Sequence, residues 1–306
     1  MTQNSTNAVG NSFKLGYRFQ SYWGTSMARA FFAAEVGTGT FLVSLYFDYL
    51  LGMILGLALA GTLKPFFHLS HMGVPAKAWR AMLRPDRSWV SRGGISMVLL
   101  VGFGALHIAN RSIGLDKTLG LDPQVGEMVR YVAIAAGLVV ICYQGMAMSA
   151  SESFTLWASP LVPVASFCYA LTAGALSLLA IGWADLGAEP QAVLVKFLES
   201  MLLLDLVIVA GLLIHARSKS KGGAFSVNLL MRGELSGQFR LVAVFLGLLV
   251  PVALVAYGGT QRLFVAAAVV AFLVGFYTLR TLLFKAAVYE PITHDLAGSI
   301  GLARSR

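Results

Sequence analysis

Cysteine is scarce in this chain. Cys142 and Cys168 are the only two among 306 residues, both lie in apolar segments, and they do not form a C-x-x-C pair. That spacing excludes a disulfide framework and the clustered thiolates of a zinc site or an iron–sulfur cluster, so no metal site is expected. Charge is scarce too: Asp, Glu, Lys and Arg make up 12% of the residues, against about 25% in a soluble domain. A water-soluble globular enzyme is therefore excluded. A Gly-rich phosphate loop, an H-E-x-x-H pair and a nucleophile elbow are also missing, which removes the usual machinery of hydrolysis and group transfer. The first 25 residues lack the basic n-region and short apolar core of a secretory signal, so insertion is expected to rely on the first span.

What is present is apolar: 57% of the residues are hydrophobic, and mean hydropathy is +0.74. A helix needs roughly 20 apolar residues to cross a bilayer. Long uncharged runs predict eight spans, at about 28–47, 49–67, 93–110, 129–149, 160–183, 191–215, 239–258 and 262–285. The expected fold is an all-α integral membrane protein. One domain covers 28–285, between a polar segment at 1–27 and a tail at 286–306. EVGTGTFLVSL (35–45) and LTAGALSLLAI (171–181) echo each other faintly, a hint of two related four-helix halves.

An even number of spans puts both termini on one side, here side A. Of the 23 Lys and Arg residues, 18 fall to side A, including Lys14, Lys64, Arg280, Arg304 and Arg306. Side B receives Arg111, Lys117, Arg130, Lys196 and Arg262. By the positive-inside rule side A is cytoplasmic, although a basic face that docks an acidic partner would show the same asymmetry. The two extended loops, 68–92 and 216–238, are both on side A. RSKSKGG at 217–223 reads as a flexible basic loop or a topology signal.

Ionisable groups inside a span are costly and invite a functional reading. Glu35 falls about seven residues into the first span, roughly 10 Å below side A. Glu199 and Asp205 fall on the sixth span and His107 on the third. They could form a proton path (Glu35, Glu199, Asp205). Alternatively, Glu199 pairs with Lys196 at i,i+3 and Asp205 bonds to a neighbouring helix. His107 and His215 lie near opposite faces and cannot share a haem iron, which leaves His215 with His68 or His71 as the one geometrically open pair.

Polar and aromatic groups converge on side A. The stretch from His68 to Arg92 holds Lys77, Arg80, Arg84, Arg87, Trp79 and Trp89 besides His71. The fourth span brings Tyr143 and Gln144 to a similar depth, and Glu35 comes from the first. A quinone suits such a set: aromatic faces pack its ring, donors meet its carbonyls, and imidazole titrates near neutral pH. For Trp89, Arg84 and Arg87 an interfacial belt with snorkelling cations is the simpler account.

Three stretches resemble the NrfD-like family, the membrane subunits of polysulfide reductase and its relatives: AEVGTGTFLVSLYF in the first span, HMGVPAKAW at 71–79 and SWVSRG at 88–93. The resemblance covers most of the chain. It implies two four-helix bundles, a bound menaquinone or ubiquinone and no haem. It also implies an iron–sulfur subunit and a molybdopterin or tungstopterin catalytic subunit as partners, which hold the clusters and the pterin; nucleic acid is not an expected partner. His71 matches the family's loop histidine, and Tyr143 its fourth-span tyrosine. The expected quinone site is thus His71, Tyr143, Gln144, Glu35, Trp79 and Arg92, and Lys77, Arg80, Arg84 and Arg87 are expected to face the partner. Glu35 and Met72 depart from the family pattern, where a small residue and leucine are usual. The expected location is a bacterial or archaeal cytoplasmic membrane with both termini cytoplasmic. The rival class is a proton- or ion-coupled transporter using Glu35, Glu199 and Asp205.

Overall fold

The computed structural model describes residues 7–9, 13–14, 18–114, 117–118 and 122–290. Arg304 and Arg306, most of the expected tail, and parts of the first 17 residues lie outside the described residues.

About 81% of the structure is helical. Following α1 (Thr25–Tyr46) come α2 (Leu50–His71), α3 (Trp89–Ile113), α4 (Pro123–Ser149), α5 (Leu161–Ile181), α6 (Ala188–Lys219), the short α7 (Lys221–Met231), α8 (Gln238–Gly258) and α9 (Arg262–Lys285). Seven of these, α2 to α6 with α8 and α9, are long and apolar enough to cross a membrane. The chain is a multi-pass membrane protein.

The first expected span, α1, is absent from those seven. It is long enough, at 22 residues, but Arg29, Glu35, three threonines and two glycines dilute its apolar character. Its surroundings explain the difference. Every residue from Ala33 to Leu45 is buried, because α1 is enclosed by α2, α4, α5 and α9. A helix that faces protein on all sides needs no apolar surface for lipid. Gly37 and Gly39 let its neighbours approach: two residues apart on a helix, they point about 200° apart. A Cβ on Gly37 would lie 2.5 Å from the backbone nitrogen of Ala60 on α2, and one on Gly39 would lie 1.8 Å from the carbonyl oxygen of Ala170 on α5. The helices meet backbone to backbone there, as small residues permit in membranes.

Around this hub α3 packs on α4 and α2, α6 and α9 pack on α5, and α8 packs on α6 and α9. The first stretch of α8, Gln238–Leu249, is wound as a π-helix before ordinary α-geometry resumes at Val250.

The side-A connections differ from expectation. His68 and His71 form the last turn of α2, so the polar stretch begins on helix rather than in a loop. A 3-10 segment follows at Pro75–Met82. Ser88 then caps α3 by accepting from the Ser91 amide at 3.3 Å. RSKSKGG is not a flexible loop. α6 runs on to Lys219, whose ammonium donates to the Ala158 carbonyl at 2.6 Å, and Ser220 caps α7 by accepting from the Gly223 amide at 3.0 Å. Capping satisfies amides that a loop would leave to water, and the tethered lysine fixes the turn.

On the same face, Arg18–Phe19 pairs antiparallel with Val288–Tyr289, and Gln20 Nε2 donates to the Phe284 carbonyl at 2.9 Å. The strand entering α1 and the strand leaving α9 are therefore neighbours.

Candidate functional site

Glu35 projects from the middle of α1 and is fully buried; Arg280 of α9, 2% exposed, reaches it. The Arg280 Nε donates to Glu35 Oε2 at 2.8 Å, its Nη2 donates to Oε1, and the same Nη2 donates to Ser166 Oγ of α5 at 2.8 Å. Two parallel N–H···O bonds form the fork geometry that guanidinium offers a carboxylate. Arg280 Nη1 has no hydrogen-bond partner.

A second buried cation lies close by. Lys64 of α2 is 4% exposed, donates to Gln144 Oε1 of α4 at 3.2 Å, and sits 4.7 Å from the Phe31 ring centroid and 5.5 Å from that of Tyr143. Gln144 in turn donates to the Phe31 carbonyl at 3.4 Å. The Tyr143 ring lies flat against Gly93 of the SWVSRG motif, where a Cβ would fall 2.2 Å from Cδ2. Phe31 adjoins an aromatic group of Trp23, Trp157 and Phe284 with ring centroids 5.2–5.6 Å apart.

Of the expected quinone-site residues, Glu35, Tyr143 and Gln144 come together around Lys64. The others do not join them. His71 is exposed, and Trp79 is 53% exposed on the 3-10 segment. Arg92 serves its own loop, donating to the carbonyls of Pro85 at 2.8 Å and Asp86 at 3.0 Å and lying 4.3 Å from the Trp89 ring centroid. Lys77, Arg80, Arg84 and Arg87 are exposed, with Arg87 paired to Asp86 at 2.8 Å.

Asp205 is fully buried on α6. Thr172 Oγ1 donates to its Oδ2 at 2.7 Å, whereas its Oδ1 and the buried Tyr169 hydroxyl have no hydrogen-bond partner. Among the described residues Glu199 makes no ion pair with Lys196; Glu199 is half-buried. His215 and His107 each keep one buried ring nitrogen without a partner.

Lys64 and Arg280 are the residues that sequence reasoning missed. Both counted as surface cations of side A, yet both are interior. The signal was available: Lys64 stands in LAGTLKPFF and Arg280 in FYTLRTLLF, each with apolar residues on both sides. The cluster holds two basic side chains, Lys64 and Arg280, against one carboxylate in a region of low dielectric. Uncompensated charge there is costly, so the cluster favours electron density brought beside it.

No family model matches the chain, and no curated protein matches it significantly.

Proposed function

We propose that this chain is the membrane anchor and quinone-binding subunit of an oxidoreductase complex. In this reading electrons pass between an iron–sulfur subunit docked on side A and the quinone pool, and a molybdenum or tungsten subunit carries the catalytic centre. The observation that carries it is the surplus of buried positive charge at Lys64 and Arg280 beside Glu35, next to the flat faces of Tyr143 and Phe31. These residues fit a quinone: rings to pack on, N–H donors for a carbonyl oxygen, and a field that favours reduction. Bound there, the quinone would supply two-electron, two-proton redox chemistry. The chain's own part is to hold charge and deliver protons. Lys64, His68 and His71 are spaced at i, i+4 and i+7, so they share one face of α2, and they pass from buried through half-buried to exposed. His71 meets side-A water, and His68 lies between it and Lys64, so the three side chains mark a route inward for a proton.

The adjacent strands Arg18–Phe19 and Val288–Tyr289 support eight crossings, with α1 the eighth. A helix domain entered and left on one face has an even number of spans. The packing of α1 to α4 and of α5 to α9 supports two four-helix groups joined through α1 and α5. The excess of Lys and Arg on side A survives removal of Lys64 and Arg280 and favours cytoplasmic termini. Lys77, Arg80 and Arg84, exposed on the 3-10 segment and after it, offer the iron–sulfur partner a basic face.

The test is quinol turnover in the intact complex. His71→Ala should lower it about 100-fold or more, the scale of a lost proton-transfer group, with the complex still assembled. Unchanged turnover would leave a purely structural anchor, and isolation of a lone active chain would overturn the reading. One observation favours a proton- or ion-coupled transporter instead: the unpartnered oxygen of Asp205 beside the unpartnered Tyr169 hydroxyl. Vesicles holding the chain alone would then show ion flux that Asp205→Asn abolishes.

A further inference from the structure

On side B, at the opposite end of the helices from the Glu35 cluster, two cavities adjoin. One, of about 500 Å³, is polar and is lined by Asp48, His107, Arg111, Glu127 and Arg130 among others. The other, of about 460 Å³, is apolar and runs between α1 and α4 on one flank and α5 and α6 on the other, lined by Leu42, Ile134, Leu138, Phe167, Val193 and Phe197 among others. Leu45, Tyr46 and Arg130 line both. Each volume falls within the range of about 300–1,000 Å³ usual for a ligand site.

The direction of the apolar cavity follows from α4. Arg130, Ile134 and Leu138 stand at i, i+4 and i+8, one stripe that starts with a guanidinium and descends about 12 Å toward the membrane middle at 1.5 Å per residue. A ligand that fills both cavities has a polar head at the membrane edge and an apolar chain perpendicular to it. That is the shape of a membrane lipid.

The charges select the head. Asp48 and Arg111 form a closed pair, with Nε and Nη2 of the arginine donating to the carboxylate at 2.7–3.2 Å. Glu127 and Arg130 form an open one: their nearest atoms are 3.7 Å apart, beyond hydrogen-bond length, and the side chains are 57% and 37% exposed. Among the described residues that line it, the pocket therefore presents one available cation and one available anion. An anionic head would meet Arg130 but would leave Glu127 without a counter-charge. A zwitterionic head meets both, with phosphate on Arg130 and ammonium on Glu127, and the unpartnered buried Nδ1 of His107 adds a polar contact in the same pocket.

We infer that the side-B cavities bind one phospholipid with a phosphate–ammonium head, of the phosphatidylethanolamine kind, whose acyl chain wedges between the two helix groups. The full chain, stripped of lipid in mild detergent, is offered phosphatidylethanolamine or phosphatidylglycerol with identical acyl chains, or free phosphoethanolamine, and bound copies are counted by native mass spectrometry. One phosphatidylethanolamine per chain is expected to be retained, about fivefold to tenfold over phosphatidylglycerol, as the loss of one charge-assisted contact would give. Arg130→Gln should lower retention by a similar factor, and Glu127→Gln should erase the preference between the two heads. Leu138→Trp, which fills the apolar cavity and touches no charge, should lower retention of both lipids and remains informative if a charge variant fails to fold. Equal retention of the two lipids by the wild type, or unchanged retention in both Arg130→Gln and Leu138→Trp, would overturn the proposal, as would free phosphoethanolamine binding as well as the lipid.

Discussion

Arg280→Met isolates the energetics of the buried pair. The substitution keeps much of the side chain's length and apolar volume and removes the guanidinium, leaving Glu35 fully buried with both its carboxylate oxygens stripped of their Arg280 donors and Ser166 Oγ without its N–H. Leaving one member of a buried ion pair unpaired costs about 3–5 kcal/mol. Replacing both members is different in kind: Glu35→Leu with Arg280→Met removes the stranded charge, and exchanges of buried pairs for apolar residues of similar size are often neutral or stabilising.

The assay is reversible unfolding of the purified chain in mixed micelles, with the two single variants and the double variant forming a cycle. The single variants should each lose about 3–5 kcal/mol, and the double variant should recover most of that loss. Single losses below about 1 kcal/mol, the range of exposed pairs, would refute the placement of Arg280 inside the protein and return it to the membrane edge. A double variant as unstable as the sum of the singles would refute their pairing.

Three further outcomes follow from other contacts. Lys64→Met should lower quinol turnover about 100-fold in the assembled complex, the effect of deleting one preorganised donor of positive charge; steady-state turnover with intact subunit composition checks it. Ser88→Ala removes the cap of α3 and should cost about 1 kcal/mol, seen as faster amide exchange over 89–92. Asp48, between α1 and α2, is held below the ordinary carboxylate value of 3.8, chiefly by its hydrogen bonds from Arg111. Because its folded value is the lower, the pair's contribution is present above pH 3.8 and is lost as pH falls through the folded value. With Asp48 and Arg111 both more than half exposed, Asp48→Asn should cost less than about 1 kcal/mol at neutral pH, and the difference from wild type should vanish once the acid is protonated in both states.

The positions of α2 to α6, α8 and α9 were legible, apart from the start of α4, which lies six residues before the expected 129 at Pro123, because lipid demands unbroken apolar runs, and such runs are local in sequence. The Glu35 cluster was half legible. Glu35 stood out as an acid in a span, and Tyr143 and Gln144 stood out as polar groups near the end of another, beside which the structure sets Lys64. Lys64 and Arg280 were lost for a physical reason: each stands near enough to the end of an apolar run for its long side chain to reach water, and only the tertiary partner shows that it does not. That partner is 245 residues away for Arg280 and 80 for Lys64. RSKSKGG misled in the opposite sense. Its composition is that of a linker, whereas its order is fixed by the Lys219 contact to Ala158 and the Ser220 cap.

The same argument accounts for α1, the least apolar of the long helices and the most enclosed. A polar group survives in a membrane protein where other protein, rather than lipid, surrounds it. The helix that α2, α4, α5 and α9 enclose can therefore carry a carboxylate, two glycines and two threonines within seven residues. Within AEVGTGT, Glu35 faces Arg280, Gly37 faces α2 and Gly39 faces α5. The glycines that bring α2 and α5 into backbone contact also bring Lys64 from α2 and Ser166 from α5 to the two ends of the charged cluster. Packing and charge are thus set by one seven-residue run. A side chain at Gly39 large enough to part α1 from α5 should act on the cluster through Ser166 and Arg280, even though it touches neither.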